Sequence, residues 1–251
     1  MLTPNSGSGD FADISSQIHE LQDLMDEGIL DKKKHRKKYL RVLRRARKLP
    51  PIHLNDDSIA FLDQIDLYFF QIWDVPKFSV FWMNLLVLLV IPLTEILYWG
   101  LLPLIKDIML SFIIYVVVSL FLFFFSHCFF HWLIGFLVGI RFRQYFLFRS
   151  SFRKVNIFPV TILTRFPVLG IKYELRSFLK VSRWRRTLML ISPPFLTGGW
   201  FLLHYFPLAQ LYGTNPLISL LGGLILLGIV ISFIVSFFFY GDLWKARQVW
   251  K

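Results

Sequence analysis

The chain has 251 residues, 55% of them hydrophobic and only 18% charged, with a mean hydropathy of +0.56 and 28 Phe, 8 Trp and 9 Tyr. Soluble chains carry roughly a quarter charged residues, so this composition excludes a disordered chain and points to a membrane protein rather than a soluble domain. The single cysteine, Cys128, excludes an intramolecular disulfide framework and any multi-cysteine zinc or iron–sulfur site, and the net charge of +12 has to be read from its distribution before it is taken for a nucleic-acid signal.

Residues 1–57 read as a cytoplasmic, helical and strongly basic region. Met1–Asp10 has no charged n-region and no apolar run, so no signal peptide is expected. Ile14, Ile18, Leu21, Leu24 and Met25 recur at helical spacing, Gly28 breaks the run, and Asp31 is placed to cap a second helix over about Lys32–Lys48. That helix carries Lys32, Lys33, Lys34, Arg36, Lys37, Lys38, Arg41, Arg44 and Arg45, with Leu40 and Leu43 as a thin apolar stripe, and Pro50-Pro51 ends it. Its basic face is expected to meet anionic lipid headgroups, where each basic residue is worth ~1 kcal/mol. The alternative is a solvated face that only fixes topology. Nucleic acid is set aside as a partner, because membrane segments follow closely. The run DEGILDKKKHRKKYL resembles the short helical-hairpin domain of bacterial protein termini. Segment 58–77 sets Phe61, Leu62, Ile65, Phe69 and Phe70 among Asp63, Asp66 and Asp74, the pattern of an amphipathic segment at the membrane interface.

Residues 78–251 read as a transmembrane bundle, giving an all-α membrane fold class with four spans at about 78–101, 108–140, 188–206 and 217–240. A span needs ~20 residues. The second stretch is too long for a straight crossing and is expected to tilt, project or break near Gly135 and Gly139. Twelve Lys and Arg precede the first span, twelve lie in the insert 141–187, three follow the fourth span, and Lys106 alone sits in an opposite turn. By the positive-inside rule both termini and the insert are cytoplasmic, which accounts for the basic charge, and a plasma or inner membrane is expected. Trp82, Trp184 and Trp244 then mark the inner interface.

His127 and His131 are four apart in SHCFFHW and share one face of a helix. Two imidazoles at this spacing are half of a metal site, as in H-E-x-x-H; hydrogen bonding to neighbouring helices is the other reading. His131 lies nine residues before Ile140, about 13 Å along the axis. On that reckoning His204 and Glu95 fall in the outer half, and Asp242 is the carboxylate on the correct side. For Cys128 the simplest reading is a small buried hydrophobe.

The stretch from about Leu120 to Leu203, and more loosely to Leu243, resembles the intramembrane zinc metalloproteases of the site-2 protease family. SHCFFHWLIGFLVGIRF stands for the motif helix and its exit, Phe142–Val181 for a β segment, and KVSRWRRTLMLISPPFLTGG for the linker and next helix, with Ser192-Pro193 where Gly-Pro is expected. The resemblance implies a zinc ion on His127 and His131; Asn215-Pro216 stands at the outer end of span four and is followed directly by Leu217, so Asp242 is the candidate substitute for the family's aspartate ligand. The general-base glutamate is replaced by Cys128, and a zinc protease needs that carboxylate to move a proton from bound water to the leaving amine. The expectation is therefore a proteolytically inactive core that binds a membrane partner, such as an extended segment added to a strand edge of the insert. A metal-dependent hydrolase using His127 and His131 with a base from elsewhere, and a structural subunit of a larger membrane complex, remain alternatives.

Overall fold

The computed structural model describes residues 7–46, 56–149, 167–213, 215–238 and 242–250. It is mostly helical, with one small sheet. Helices α1 (Gly7–Asp26) and α2 (Lys32–Ala46) form a hairpin, followed by α3 (Asp56–Gln71). Gly28 ends α1 as the sequence suggests. It adopts φ +70°, and Gly28 N and Ile29 N donate to the carbonyls of Met25 (3.1 Å) and Leu24 (3.0 Å), closing the helix end by a Schellman motif.

Strand β1 (Lys77–Ser79) leads into α4 (Val80–Leu101), which a 3₁₀ turn at Leu102–Leu104 extends. The long α5 (Ile108–Leu137) starts at Asp107, whose side chain accepts from Leu110 N at 2.8 Å. It ends at Gly139, at φ +88°, where Gly139 N donates to Phe136 O at 3.1 Å and Ile140 N to Gly135 O at 2.8 Å. The helix is therefore not interrupted within Ile108–Leu137 and stops just before Gly139; it runs through Gly135, where a Cβ would stand 2.4 Å from the Phe142 ring.

The expected β segment is two strands and a helix. Strands β2 (Phe142–Arg149) and β3 (Pro167–Tyr173) pair antiparallel, and β1 joins the other side of β2, giving the order β1-β2-β3 with Phe78 opposite Tyr145 and Tyr145 opposite Ile171. Residues Leu175–Lys180 form α6. Helix α7 (Arg183–Tyr212) follows, anchored by the fully buried Arg186, whose guanidinium donates to the carbonyls of Val181 and Leu179 at the end of α6. Helix α8 (Pro216–Phe238) and the short α9 (Asp242–Trp250) complete the chain's described elements.

Among the described residues two helical segments are long and apolar enough to cross a membrane, Val80–Leu104 and Ile108–Leu137. Helix α7 is diluted by an arginine-rich first turn and by Pro193, Pro194, Pro207 and His204, and the apolar run described in α8, Ile218–Ile231, is shorter. Large apolar side chains nevertheless face outward along α4, α5, α7 and α8, among them Leu89, Ile113, Phe195 and Leu224.

One core lies at the sheet end of the bundle. It joins Ile14, Ile18 and Leu21 of α1, Tyr39 and Val42 of α2 and Ile59, Leu62 and Ile65 of α3 to Leu175 and Phe178 of α6, Met189 and Leu190 of α7 and Ala246 and Val249 of α9. The apolar side chains of α3 thus face protein, and its carboxylates tie it to the sheet: Asp63 pairs with Arg143 and accepts from Leu175 N at 2.8 Å, while Asp66 pairs with Lys172 and accepts from Tyr39. A second core, Tyr98, Leu102, Tyr115, Leu208 and Ile218, lies at the far end.

Candidate metal centre

The apolar run of α5 fixes a helix, and its 3.6-residue period stacks His127 over His131 with ring centroids 4.9 Å apart. More than a hundred residues later, Asp242 opens α9. Its Oδ2 stands 3.1 Å from His127 Nε2 and 3.0 Å from His131 Nε2. Ligand-type atoms of all three residues lie within 4.8 Å of one another. The aspartate that the sequence could choose only by its side of the membrane thus meets both imidazoles.

The surroundings orient the donors. Nδ1 of His131 lies 3.1 Å from the Met189 carbonyl and 3.4 Å from its sulfur. A carbonyl can only accept, so Nδ1 carries the proton, and Nε2 of the neutral ring presents a lone pair toward Asp242. A lone pair facing a carboxylate oxygen at 3.0 Å is the arrangement that a metal ion between them would complete. Lys245, one turn along α9, donates to the other oxygen, Oδ1, at 2.7 Å. Burial alone pushes the Asp242 carboxyl up, but the Lys245 ammonium beside it is the foremost influence in the other direction, and the carboxyl is held well below the ordinary carboxylate range. His127 Nδ1 is buried and has no hydrogen-bond partner.

The donor set fits zinc. Two imidazole nitrogens and a carboxylate oxygen are the ligand types of catalytic zinc sites, and ligands ~2.0–2.1 Å from the metal stand roughly 3.3–3.4 Å apart in a tetrahedron. The contacts at 3.0 and 3.1 Å need to open by only a few tenths of an ångström. The bond from His131 to a main-chain carbonyl is the outer-shell partner that ligating histidines typically have.

Cys128, one residue on from His127, turns to another face of α5. Its Sγ donates to the Leu169 carbonyl of β3 at 3.1 Å, so the thiol joins helix to sheet. Beside it Tyr145 of β2 donates to Asn84 Oδ1 of α4 at 2.5 Å, and burial, with the Cys128 thiol nearby, pushes the Tyr145 phenol above its ordinary range.

His204 stands apart from this centre. Its Nε2 lies 2.9 Å from Glu95 Oε1 and its Nδ1 3.0 Å from Ser119 Oγ, while Trp99 donates to Glu95 Oε2 at 3.0 Å. These groups pin α4, α5 and α7 together toward the far end. Of the basic residues of α2, Lys37, Arg41 and Arg44 are exposed in a row, whereas Lys38 pairs with Glu20 and Arg45 with Asp13 on α1. The side chains of Lys32, Lys33, Lys34 and Arg36 lie outside the described residues. Trp82 and Trp184 are 66% and 63% exposed, as interfacial anchors would be.

The sequence did not reveal Met189 or Lys245. Met189 acts through its main chain, which leaves no residue signature, and Lys245 reads as one more positive charge near the inner face. Compared with protein-family models, curated proteins and solved structures, the chain matches none of them.

Proposed function

We propose that this is a four-span membrane protein with a site-2 protease-like core, both termini and the 141–187 insert being cytoplasmic. His127, His131 and Asp242 hold a divalent cation, zinc first, at the cytoplasmic end of the bundle. The observation that carries this reading is the convergence of three metal-ligand side chains from α5 and α9. With three protein ligands, such an ion would accept an exogenous donor.

The same geometry supports binding rather than peptide hydrolysis. In the family this core resembles, the residue after the first histidine is the glutamate that moves protons; here it is Cys128, engaged with the Leu169 carbonyl. Once bound, zinc would supply a Lewis-acid site for a donor atom of a partner. His127 and His131 hold the ion, Asp242 neutralises part of its charge, and Lys245 steadies Asp242. The partner is a membrane protein whose extended segment reaches the sheet beside α5. The exposed row Lys37, Arg41 and Arg44, with Leu40 among them, suits anionic headgroups.

Metal analysis of detergent-purified protein tests the reading. About one zinc per chain is expected, lost in His131→Ala and in Asp242→Ala. Wild-type protein that stays metal-free after exposure to zinc refutes the metal centre. Zinc-dependent cleavage of a transmembrane substrate refutes the non-hydrolytic role.

A further inference from the structure

Within an α-helix a carbonyl accepts from the amide four residues on. Met189 lies four residues before Pro193, and proline has no N–H to give. The Met189 carbonyl is thereby left without its helical donor, and it is this carbonyl that takes the Nδ1 proton of His131 at 3.1 Å. Both residues are buried, at 1% and 7% exposure, so water does not readily replace either side of the bond. We propose that Pro193 is a positioning residue for the metal centre: by freeing the Met189 carbonyl it keeps the His131 proton on Nδ1 and directs the Nε2 lone pair at the metal. This inference rests on the metal reading of the site.

The chemistry is that of an imidazole with one proton and two nitrogens. A nitrogen that binds metal must be unprotonated, so the partner of the other nitrogen decides whether the ring is ready or must rearrange first. At His127 no such partner holds Nδ1, which leaves His131 as the ring whose tautomer the protein sets. Restoring an amide at position 193 returns the Met189 carbonyl to the helical ladder, in competition with His131. The next residue provides a control within the same turn. Pro194 relieves the Leu190 carbonyl in the same way, yet His131 bonds Met189 and not Leu190.

The test compares wild type, Pro193→Ala and Pro194→Ala as full chains in detergent. Two quantities are read: zinc affinity by competition with a chelator, and the tautomer of His131 in the metal-free protein from imidazole ¹⁵N shifts, assigned with His131→Gln. Wild type should show the proton on Nδ1. Pro193→Ala should move part of it to Nε2 and weaken zinc binding about 10–100-fold, the usual effect of losing an outer-shell partner. Pro194→Ala should leave both readouts as in wild type. Equal losses in the two proline variants would reduce the effect to helix straightening and overturn the proposal, as would a Pro193→Ala protein identical to wild type. A wild-type His131 protonated on Nε2 overturns it without any variant. Wild-type protein that binds no zinc instead overturns the proposed function, and the tautomer still decides whether Pro193 sets the His131 proton.

Discussion

Replacing Asp242 by Asn separates what the carboxylate does for the metal from what it does for the fold. Asn keeps the shape but offers a neutral amide. Apparent zinc-binding energies of about 10–16 kcal/mol shared over four positions assign each ligand roughly 2.5–4 kcal/mol, so Asp242→Asn should weaken zinc about 10²–10³-fold. The metal-free protein should be little affected. His131, with its proton held by Met189, turns a lone pair toward Asp242 Oδ2, and an Asn NH₂ in that place would donate to it. That bond contributes about 1 kcal/mol. Against it stands the loss of Lys245 from Oδ1, a half-exposed pair worth at most ~1 kcal/mol. At pH 8 with excess chelator, Asp242→Asn should therefore unfold within about 1 kcal/mol of wild type, above or below it. With zinc at a thousand times the wild-type dissociation constant, wild type should gain about 4 kcal/mol and Asp242→Asn only about 0.4–1.4 kcal/mol. Thermal melts in detergent, monitored by Trp fluorescence with and without zinc, read both differences. A chelated Asp242→Asn protein melting far below chelated wild type would refute the reasoning, because His131 would then be a donor to Asp242 even without metal.

Three further outcomes are expected. Gly135→Ala should lower the melting temperature by the equivalent of about 1–3 kcal/mol, since its Cβ meets the Phe142 ring at 2.4 Å, whereas Gly199→Ala, with nothing within 4 Å, should be neutral; equal effects would refute the packing account. Tyr145→Phe leaves the buried Asn84 carbonyl oxygen without its donor and should cost about 1–3 kcal/mol, and a melt unchanged from wild type would count against that hydrogen bond. Bound zinc should leave on acidification, because its ligands must be unprotonated. Asp242 is held well below the ordinary carboxylate range, so its charge outlasts that of a free aspartate, and metal release followed by dialysis from pH 8 downward should begin well above pH 4. Release confined to pH values below 4 would contradict the two-histidine donor set.

The parts of this centre differ in how they were legible in the sequence. His127 and His131 were legible because a helical period needs only local spacing. Asp242 was legible only through charge topology, which assigned it a side of the membrane but not a contact. The outer pair Glu95 and His204 shows the same limit: both were assigned to one half of the bundle, and their bond awaited the packing of α4 on α7. Strand β1 was absorbed into the apolar run that begins at Phe78, because three residues carry no alternation to read. In α3 the amphipathic pattern was plain, but a pattern of apolar residues cannot distinguish lipid from α1, α2 and α6 as the surface they meet. Asp63 and Asp66, half-hidden signals of a docked helix, receive their meaning only from Arg143 and Lys172 on strands that follow much later.

The separation of His127 from Asp242 has a consequence for how the centre is assembled. The two close a loop of 115 residues, and a free chain would give up about 4 kcal/mol of entropy to hold the ends of such a loop together. In the proposed four-span arrangement the bilayer would do that work beforehand. Each crossing commits the chain to one of two surfaces, and once α7 and α8 are inserted, the segment bearing Asp242 has only a short lateral search left. On that proposal, lipid insertion would act as the folding step for a site that lies outside the lipid. Refolding from a denatured chain should form the helices first and recover zinc binding last.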